Sequence, residues 1–317
     1  MLQKSMRAKK RVVALYLLVP LIVYVFSVFV PLITAFVDSF FEWKGGPQKT
    51  FNGIQNYITL FQDATFWQSF WHNIYLVAIC IVGQIGIAFI FVLMIDSKLV
   101  KLKGMHRTFG FFPSTISTAI PITGSGKSID SSTISAVCVG FIWKMIYDYN
   151  RGILNWFLKL IGHADAAKVW LNEPDKVMLL VSIPLIWQYI GYYMVILLSG
   201  IASIDKEIFE SAEIDGANAV QRAIYIVFPL IKNTLLICII LCIAGNMKAF
   251  DNIYVMTSGG PGTSSMVMAL YGYTVSFKQN NMGYGCCISV AIFILSLIVI
   301  GGAQKLFNFL LKDKGVE

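Results

Sequence analysis

Charge is scarce in this sequence. Only 13% of its 317 residues are Asp, Glu, Lys or Arg, and acids are scarcer than bases, 17 against 25. A chain so poor in charge and 57% hydrophobic does not have the composition of a soluble domain. Histidine is scarcer still. His72, His106 and His163 are scattered through segments of different character. No Ser–His–carboxylate set and no metal-ligand spacing can be assembled from them, so no catalytic residue and no metal site is assigned. The six cysteines, Cys80, Cys138, Cys238, Cys242, Cys286 and Cys287, all fall inside apolar runs. They read as small apolar residues and not as a disulfide framework. The ten-residue alternation of an outer-membrane barrel is missing. No small-x-small cleavage site follows the basic start MLQKSMRAKKRVV, which therefore reads as the head of an uncleaved first span.

What is present is a set of long apolar runs. Several reach the roughly 20 residues needed to cross a bilayer. Six spans are expected: Val12–Phe36, Ile74–Ile95, a broken one within Phe109–Tyr147, Val177–Gly200, Ile226–Ala249 and Cys286–Phe309. Unpaired backbone groups are not tolerated in lipid, so the expected fold is an all-α membrane protein of six transmembrane helices. Residues 1–11 form a basic tail, 12–309 the membrane domain and 310–317 a second tail. With both termini cytoplasmic, the inside segments hold 14 Lys and Arg and the outside segments 7. The bias sets that orientation, and the net charge of +8 follows from it and from attraction to anionic membrane lipid, with no need of nucleic acid.

Two stretches carry more than hydropathy. Between the fourth and fifth runs lies a polar loop, 203–229, with Asp205, Glu207, Glu210, Glu213 and Asp215 against Lys206 and Arg222. Gly216 breaks it into a helix–turn–helix, and Ser203 is placed to cap its first helix, with Asp205 and Glu207 at the positive end. After the fifth run, Thr257-Ser258-Gly259-Gly260-Pro261 dictates a tight turn that would offer polar backbone to a docking partner.

Both stretches resemble one family. Importer permeases of the ATP-binding-cassette (ABC) type carry E-A-A, three residues, G, nine residues, I-x-L-P; here Glu210, Ser211, Ala212, Gly216, Ile226 and Pro229 sit at those offsets. Ser211 replaces the first Ala and Phe228 the Leu. Asp215-Gly216-Ala217, the run Ile186–Asn218 and the element at Thr257, Gly259, Gly260 and Pro261 are similar to the carbohydrate branch, in particular to the maltose- and glycerol-phosphate-type first permease. Asp205 departs from the Pro usual there. Over about Val12–Phe309, the resemblance implies a sugar-importing permease subunit of a bacterial inner membrane, multi-pass and not itself an enzyme. It implies that Glu210, Ser211, Ala212, Asp215 and Gly216 form a coupling helix docked on an ATPase dimer. Thr257, Gly259, Gly260 and Pro261 would face an extracytoplasmic solute-binding protein. A second permease subunit completes the implied assembly. The chain binds no cofactor; ATP and Mg act through the partner ATPase.

Polar residues within spans are the candidates for the path of the solute. Gln188, Tyr192, Asn246 and Asp251 are chosen, because sugar sites pair aromatic faces with amides and acids. The segment near 118–135 reads as an insertion, since STIS at Ser114–Ser117 returns at Ser132–Ser135. Its GSGKS, Gly124–Ser128, has Pro121 where a phosphate-binding loop needs Gly. The alternative class is an ion-coupled secondary transporter, which would show paired broken helices in its two halves. An intramembrane enzyme would need an ionisable pair within the spans, and none is seen.

Overall fold

The structure, a computed structural model, describes residues 10–96 and 131–310. The expected insertion and its GSGKS segment lie outside the described residues. The chain is helical except for one small hairpin, and it divides into two compact units: residues up to Asp63 with Gly272–Phe293, and Ala64–Tyr271 with the residues from Ile294 on.

The first unit begins with α1 (Lys10–Tyr24), which runs through a wide π turn at Val25–Phe29 into α2 (Val30–Asp38). Tyr16–Asp38 forms one apolar rod of 23 residues, and none of it is buried within the chain. Such a rod is stable only in an apolar surrounding. A hairpin follows: β1 (Phe41–Trp43) pairs antiparallel with β2 (Lys49–Phe51). The hairpin corrects the all-helical expectation, and it is pinned by side chains. Lys49 pairs with Asp38 at 2.6 Å and lies 4.0 Å over the Trp43 ring. α3 (Gln55–Gln62) then buries Asn56, whose amide donates to the carbonyls of Ser39 and Phe41 at 2.8 and 3.0 Å. Burial raises the Tyr57 hydroxyl above its usual pKa, and it shares a 2.7 Å hydrogen bond with Ser39. Gly283, near the start of α15 (Met282–Leu310), lies against the Phe41 carbonyl, where a Cβ would collide with it.

The second unit is built round α8 (Pro174–Ala202). It packs on α4 (Ala64–Cys80), on the π turn Ile81–Gly86, on α5 (Ile87–Asp96), on α6 (Ser131–Ile146) and on α12 and α13, defined below. α4 starts at Ala64, ten residues before the expected span. Its first turns looked like loop because they are rich in Trp and Phe. Yet Phe66, Ser69, Asn73, Leu76, Val77 and Cys80 are buried at helical spacing, so the polar–aromatic start is one face of the same helix.

Among the described residues four helices are long and apolar enough to cross a membrane: Tyr16–Asp38, Ala64–Met94, Pro174–Ala202 and Met282–Leu310. A fifth candidate is a bent pair. α10 (Ala219–Arg222), a π turn at Ala223–Val227 and α11 (Phe228–Leu230) meet α12 (Lys232–Asn246) at 74°. Pro229 cannot donate a backbone hydrogen bond, and with the π turn just before it the helix kinks there, where a straight span was expected. The third expected span is represented by α6, whose apolar part, Ala136–Ile146, is too short to cross alone.

Close helix contacts fall at small residues, as expected where lipid supplies no hydrophobic drive between helices. A Cβ at Gly83 would stand 2.5 Å from the side chain of Ile186 on α8, and one at Gly200 would stand 2.8 Å from Thr234 Oγ1 on α12. Three residues from Gly83, Gly86 has nothing within 4 Å. Gly83→Val should therefore cost about 1–3 kcal/mol through overpacking, while Gly86→Ala should be neutral or mildly stabilising. Denaturation midpoints of the two variants in detergent check the difference; equal midpoints would show that α8 does not bear on this turn.

Candidate functional site

Two features of the second unit are arranged for chemistry or contact. The first is a cavity of about 300 Å³ beside the middle of α8. α8 supplies Gln188, Tyr189, Tyr192 and Tyr193; α12 supplies Gly245 and Asn246. After Met247 the chain turns into α13 (Asp251–Met256), and Lys248, Phe250, Asp251 and Asn252 line the same wall. All four path candidates, Gln188, Tyr192, Asn246 and Asp251, thus line one space, although they come from separate elements. Tyr189 and Tyr192 stand edge to face at 6.5 Å, and the Phe250 and Tyr254 rings stack at 5.2 Å. The lining combines flat rings with amides and one side chain of each charge, Lys248 and Asp251.

The walls are set by buried amides. Asn73, fully buried on α4, donates to the carbonyls of Asn246 (3.0 Å) and Met247 (3.3 Å) and accepts from the Met268 N–H at 2.9 Å. It ties the end of α12 to α14 (Met268–Tyr273), where helix ends leave backbone groups unpaired. Gln84 donates to the Leu185 carbonyl at 3.1 Å and receives the Cys242 thiol at 3.4 Å. Asn246 turns its amide back onto the Cys242 carbonyl at 2.9 Å, so much of its polarity shapes the wall.

One amide is different. Asn252 is 4% exposed and donates to Gln188 Oε1 at 3.4 Å, but its Oδ1 has no partner among the described residues. A buried acceptor left unpaired is costly, and this one belongs to a cavity wall. Sequence reading missed Asn252 and Phe250. Neither lies in an apolar run, and the turn after Met247 sets Asn252 against Gln188 of α8.

The second feature is the elbow after α8. Asp205 opens α9 (Lys206–Ile214) as its N-cap without a side-chain bond. Ser203 does not cap it, because its hydroxyl bonds backwards to the Gly200 carbonyl at 2.7 Å and closes α8 instead. α9 ends in a Schellman turn: Ala217 N–H reaches the Ala212 carbonyl at 2.9 Å, with Gly216 at φ +77°. Asn218 and Gln221 then form a reciprocal capping box that starts α10. Ala212 is buried, while Glu210, Ser211, Asp215 and Gly216 are exposed, as is Ile214 at 86%. The elbow therefore shows carboxylates round an apolar tip.

The turn at Thr257–Pro261 is folded more tightly than expected. Gly259 is buried and its carbonyl accepts from Ser265 N–H at 3.2 Å; the Gly260 carbonyl accepts from Ser265 Oγ at 2.7 Å. Thr257 Oγ1 shares a 2.7 Å bond with Ser265 Oγ. Much of its backbone polarity is used internally, and its exposed points are Ser258 and Gly262.

Residues 111–311 match the profile of the family described as binding-protein-dependent transport system inner membrane component. The chain belongs to that family. Among its relatives is a probable ABC transporter permease protein of Pyrococcus horikoshii, 30% identical over 289 residues, covering 91% of this chain and 92% of that one. A probable ABC transporter permease protein of Bacillus subtilis is 29% identical, over 95% and 97% of the two chains. The trehalose/maltose transport system permease protein of Thermococcus litoralis is 27% identical, over 79% and 78%. In fold the chain is similar to the solved bacterial ABC transporter involved in import of the acidic polysaccharide alginate. That likeness has a TM-score of 0.75 at 18% identity, covering 94% of this chain and 95% of that one. The named relatives are permease proteins, and the elbow and the cavity lining other than Gln84 lie within the matched residues.

If Asn73 is the clamp that shapes the cavity, Asn73→Leu strands the Met268 N–H and the Met247 carbonyl, while the Asn246 carbonyl keeps the Ala249 N–H at 3.2 Å. The expected loss is about 1–3 kcal/mol per stranded group at the low end, read as a lowered denaturation midpoint in detergent. An unchanged midpoint would show that these backbone groups find other partners.

Proposed function

We propose that this chain is the membrane-spanning subunit of an ATP-driven importer of an oligosaccharide or a related polyol or sugar phosphate. On this reading it has six spans with both termini cytoplasmic, and it forms half of the translocation path. The elbow Glu210–Gly216 is the coupling helix and docks on an ATPase dimer, through which ATP and Mg act. A second permease subunit supplies the other half, and an extracytoplasmic solute-binding protein delivers the ligand near Thr257, Gly259, Gly260 and Pro261.

The observation that carries the proposal is that one rod joins both features. α8 lines the cavity with Gln188, Tyr189 and Tyr192, and 10 residues after Tyr192 it ends at Ala202, just before the elbow. At 1.5 Å per residue that is about 15 Å of straight helix. A displacement of the elbow is therefore delivered to the cavity wall with little loss. The lining supports a carbohydrate: aromatic faces take the apolar faces of sugar rings, and amides and charged groups take hydroxyls. The trehalose/maltose relative supports the same class. Asn252 holds Gln188 on the cavity wall through a 3.4 Å hydrogen bond.

Charge reversal at the elbow, Glu210→Lys with Asp215→Lys, should abolish ATP-coupled uptake while the chain still inserts, because both side chains are exposed and bear on no internal contact. Uptake of a labelled panel of oligosaccharides, polyols and sugar phosphates, with membrane insertion measured alongside, tests it; normal uptake would sink the coupling assignment. In the cavity, Asn252→Leu should weaken transport of the accepted solute by about tenfold or more, the scale of a lost buried hydrogen bond of 1.4 kcal/mol or above. Unchanged transport would move the path away from α13.

A further inference from the structure

Between α6 and α8 lies a built segment that the cavity and the elbow do not use. α7 (Ile153–Leu160) reads ILNWFLKL and places apolar side chains at 153, 156, 157 and 160, one stripe of a helix. In a soluble domain such a stripe turns inward. Here it faces out: Ile153 is 64%, Trp156 61%, Phe157 51% and Leu160 65% exposed. The side turned to the protein carries the buried Asn155 between Leu154 and Leu158, which are half-buried. Asn155, 1% exposed, donates to the Tyr149 and Lys168 carbonyls at 3.3 and 3.0 Å and accepts from Lys168 N–H at 3.3 Å and Trp170 Nε1 at 2.8 Å. Gly152 permits the close approach, since a Cβ there would meet the Asp148 and Ile146 carbonyls. The helix is thus held by hydrogen bonds with its apolar stripe turned away from the protein.

The charge around the stripe is one-sided. Arg151 and Lys159 flank it, and no acid occurs from Asn150 through Ala164. The neighbouring acids are engaged elsewhere. Asp148 accepts the backbone N–H groups of Asn150 and Arg151, and Glu173 pairs with Lys168 at 2.5 Å. The Lys168 ammonium holds the Glu173 carboxyl below the usual carboxylate range. Asp165 lies past the helix end. α7 joins the last residues of α6 to the first of α8, where two apolar helices end, and at eight residues it is about 12 Å long, far too short to cross a bilayer.

We propose that α7 lies in the plane of the membrane interface and sinks its stripe into the phospholipid boundary, about 5–10 Å below the head groups. Trp156 has the amphipathic ring favoured at that depth, and Arg151 and Lys159 complement anionic head groups. α7 then anchors the α6–α8 end of the protein, the opposite end of α8 from the elbow. The inference rests on the chain being a membrane component and is independent of which solute it carries.

The test uses the full-length chain with its copurifying subunits in nanodiscs of phosphatidylcholine with a minority of phosphatidylglycerol. Cys138 and Cys286, the cysteines that are not buried, are first replaced by serine. Single cysteines at Ile153, Phe157 and Leu160, and at Asp165 as the wet control, are spin-labelled. Collision with oxygen and with a water-soluble nickel chelate is then measured. The expected result is several-fold more oxygen than nickel collision at the three stripe positions, and the reverse at Asp165. Nickel access at the stripe equal to that at Asp165 overturns the proposal. So does a stripe shielded from both reagents, which would mean that a protein partner covers it. A label at Leu297, exposed on α15, separates the cases: if it too fails to meet oxygen, the membrane reading itself fails.

Discussion

Everything in this structure follows from the backbone having to satisfy its own hydrogen bonds. In lipid no water completes a broken ladder, and a stranded N–H or C=O costs several kcal/mol. Long uninterrupted helices meet that demand by themselves, and four rods of 23 to 31 residues do so here. The informative places are those where the ladder is interrupted: the turn after Met247, the kink at Pro229, the hairpin after Ser39 and the loop after Ile146.

Most of these interruptions are repaired by a buried amide. Asn56 binds the carbonyls at the hairpin, Asn73 those at the end of α12, Gln84 one within α8, and Asn155 those around α7. A side-chain amide suits the task because it donates and accepts on one rigid plane and carries no charge to desolvate. Against that pattern Asn252 stands out. It has the same burial and chemistry, but its oxygen repairs nothing. The residue lies beside Gln188 on the wall of a cavity of about 300 Å³.

Two ends of α8 carry different work. At one end α7 turns an apolar stripe outward; at the other, carboxylates surround Ile214. Under the proposed function the first end is held by the membrane and the second by the ATPase, so the cavity lies on a rod fixed at one end and driven at the other. At Gly83 and Gly200 the lack of a side chain lets Ile186 and Thr234 pack directly against the neighbouring backbone.

How much was legible beforehand depends on the range of the interaction. Hydropathy alone marked the four long rods, because a bilayer reads length and apolarity locally. The motif at Glu210–Pro229 was likewise legible, since a glycine at φ +77° and a reciprocal Asn–Gln cap are short-range devices written in adjacent residues. Local signals misled where two structures share them. The Trp- and Phe-rich start of α4 looked like loop, Ser203 looked like a cap, and the hairpin hid among aromatic residues. Gln188, Tyr192, Asn246 and Asp251 were chosen for residue type, and nothing in their spacing said that they share a space. Tertiary structure decided that, through the turn after Met247 and the packing of α13 on α8, which sets Asn252 against Gln188. It also decided which way the stripe on α7 faces. Periodicity fixes that a helix has an apolar side, but only the hydrogen bonds of Asn155, reaching 13 and 15 residues along the chain, turn that side outward.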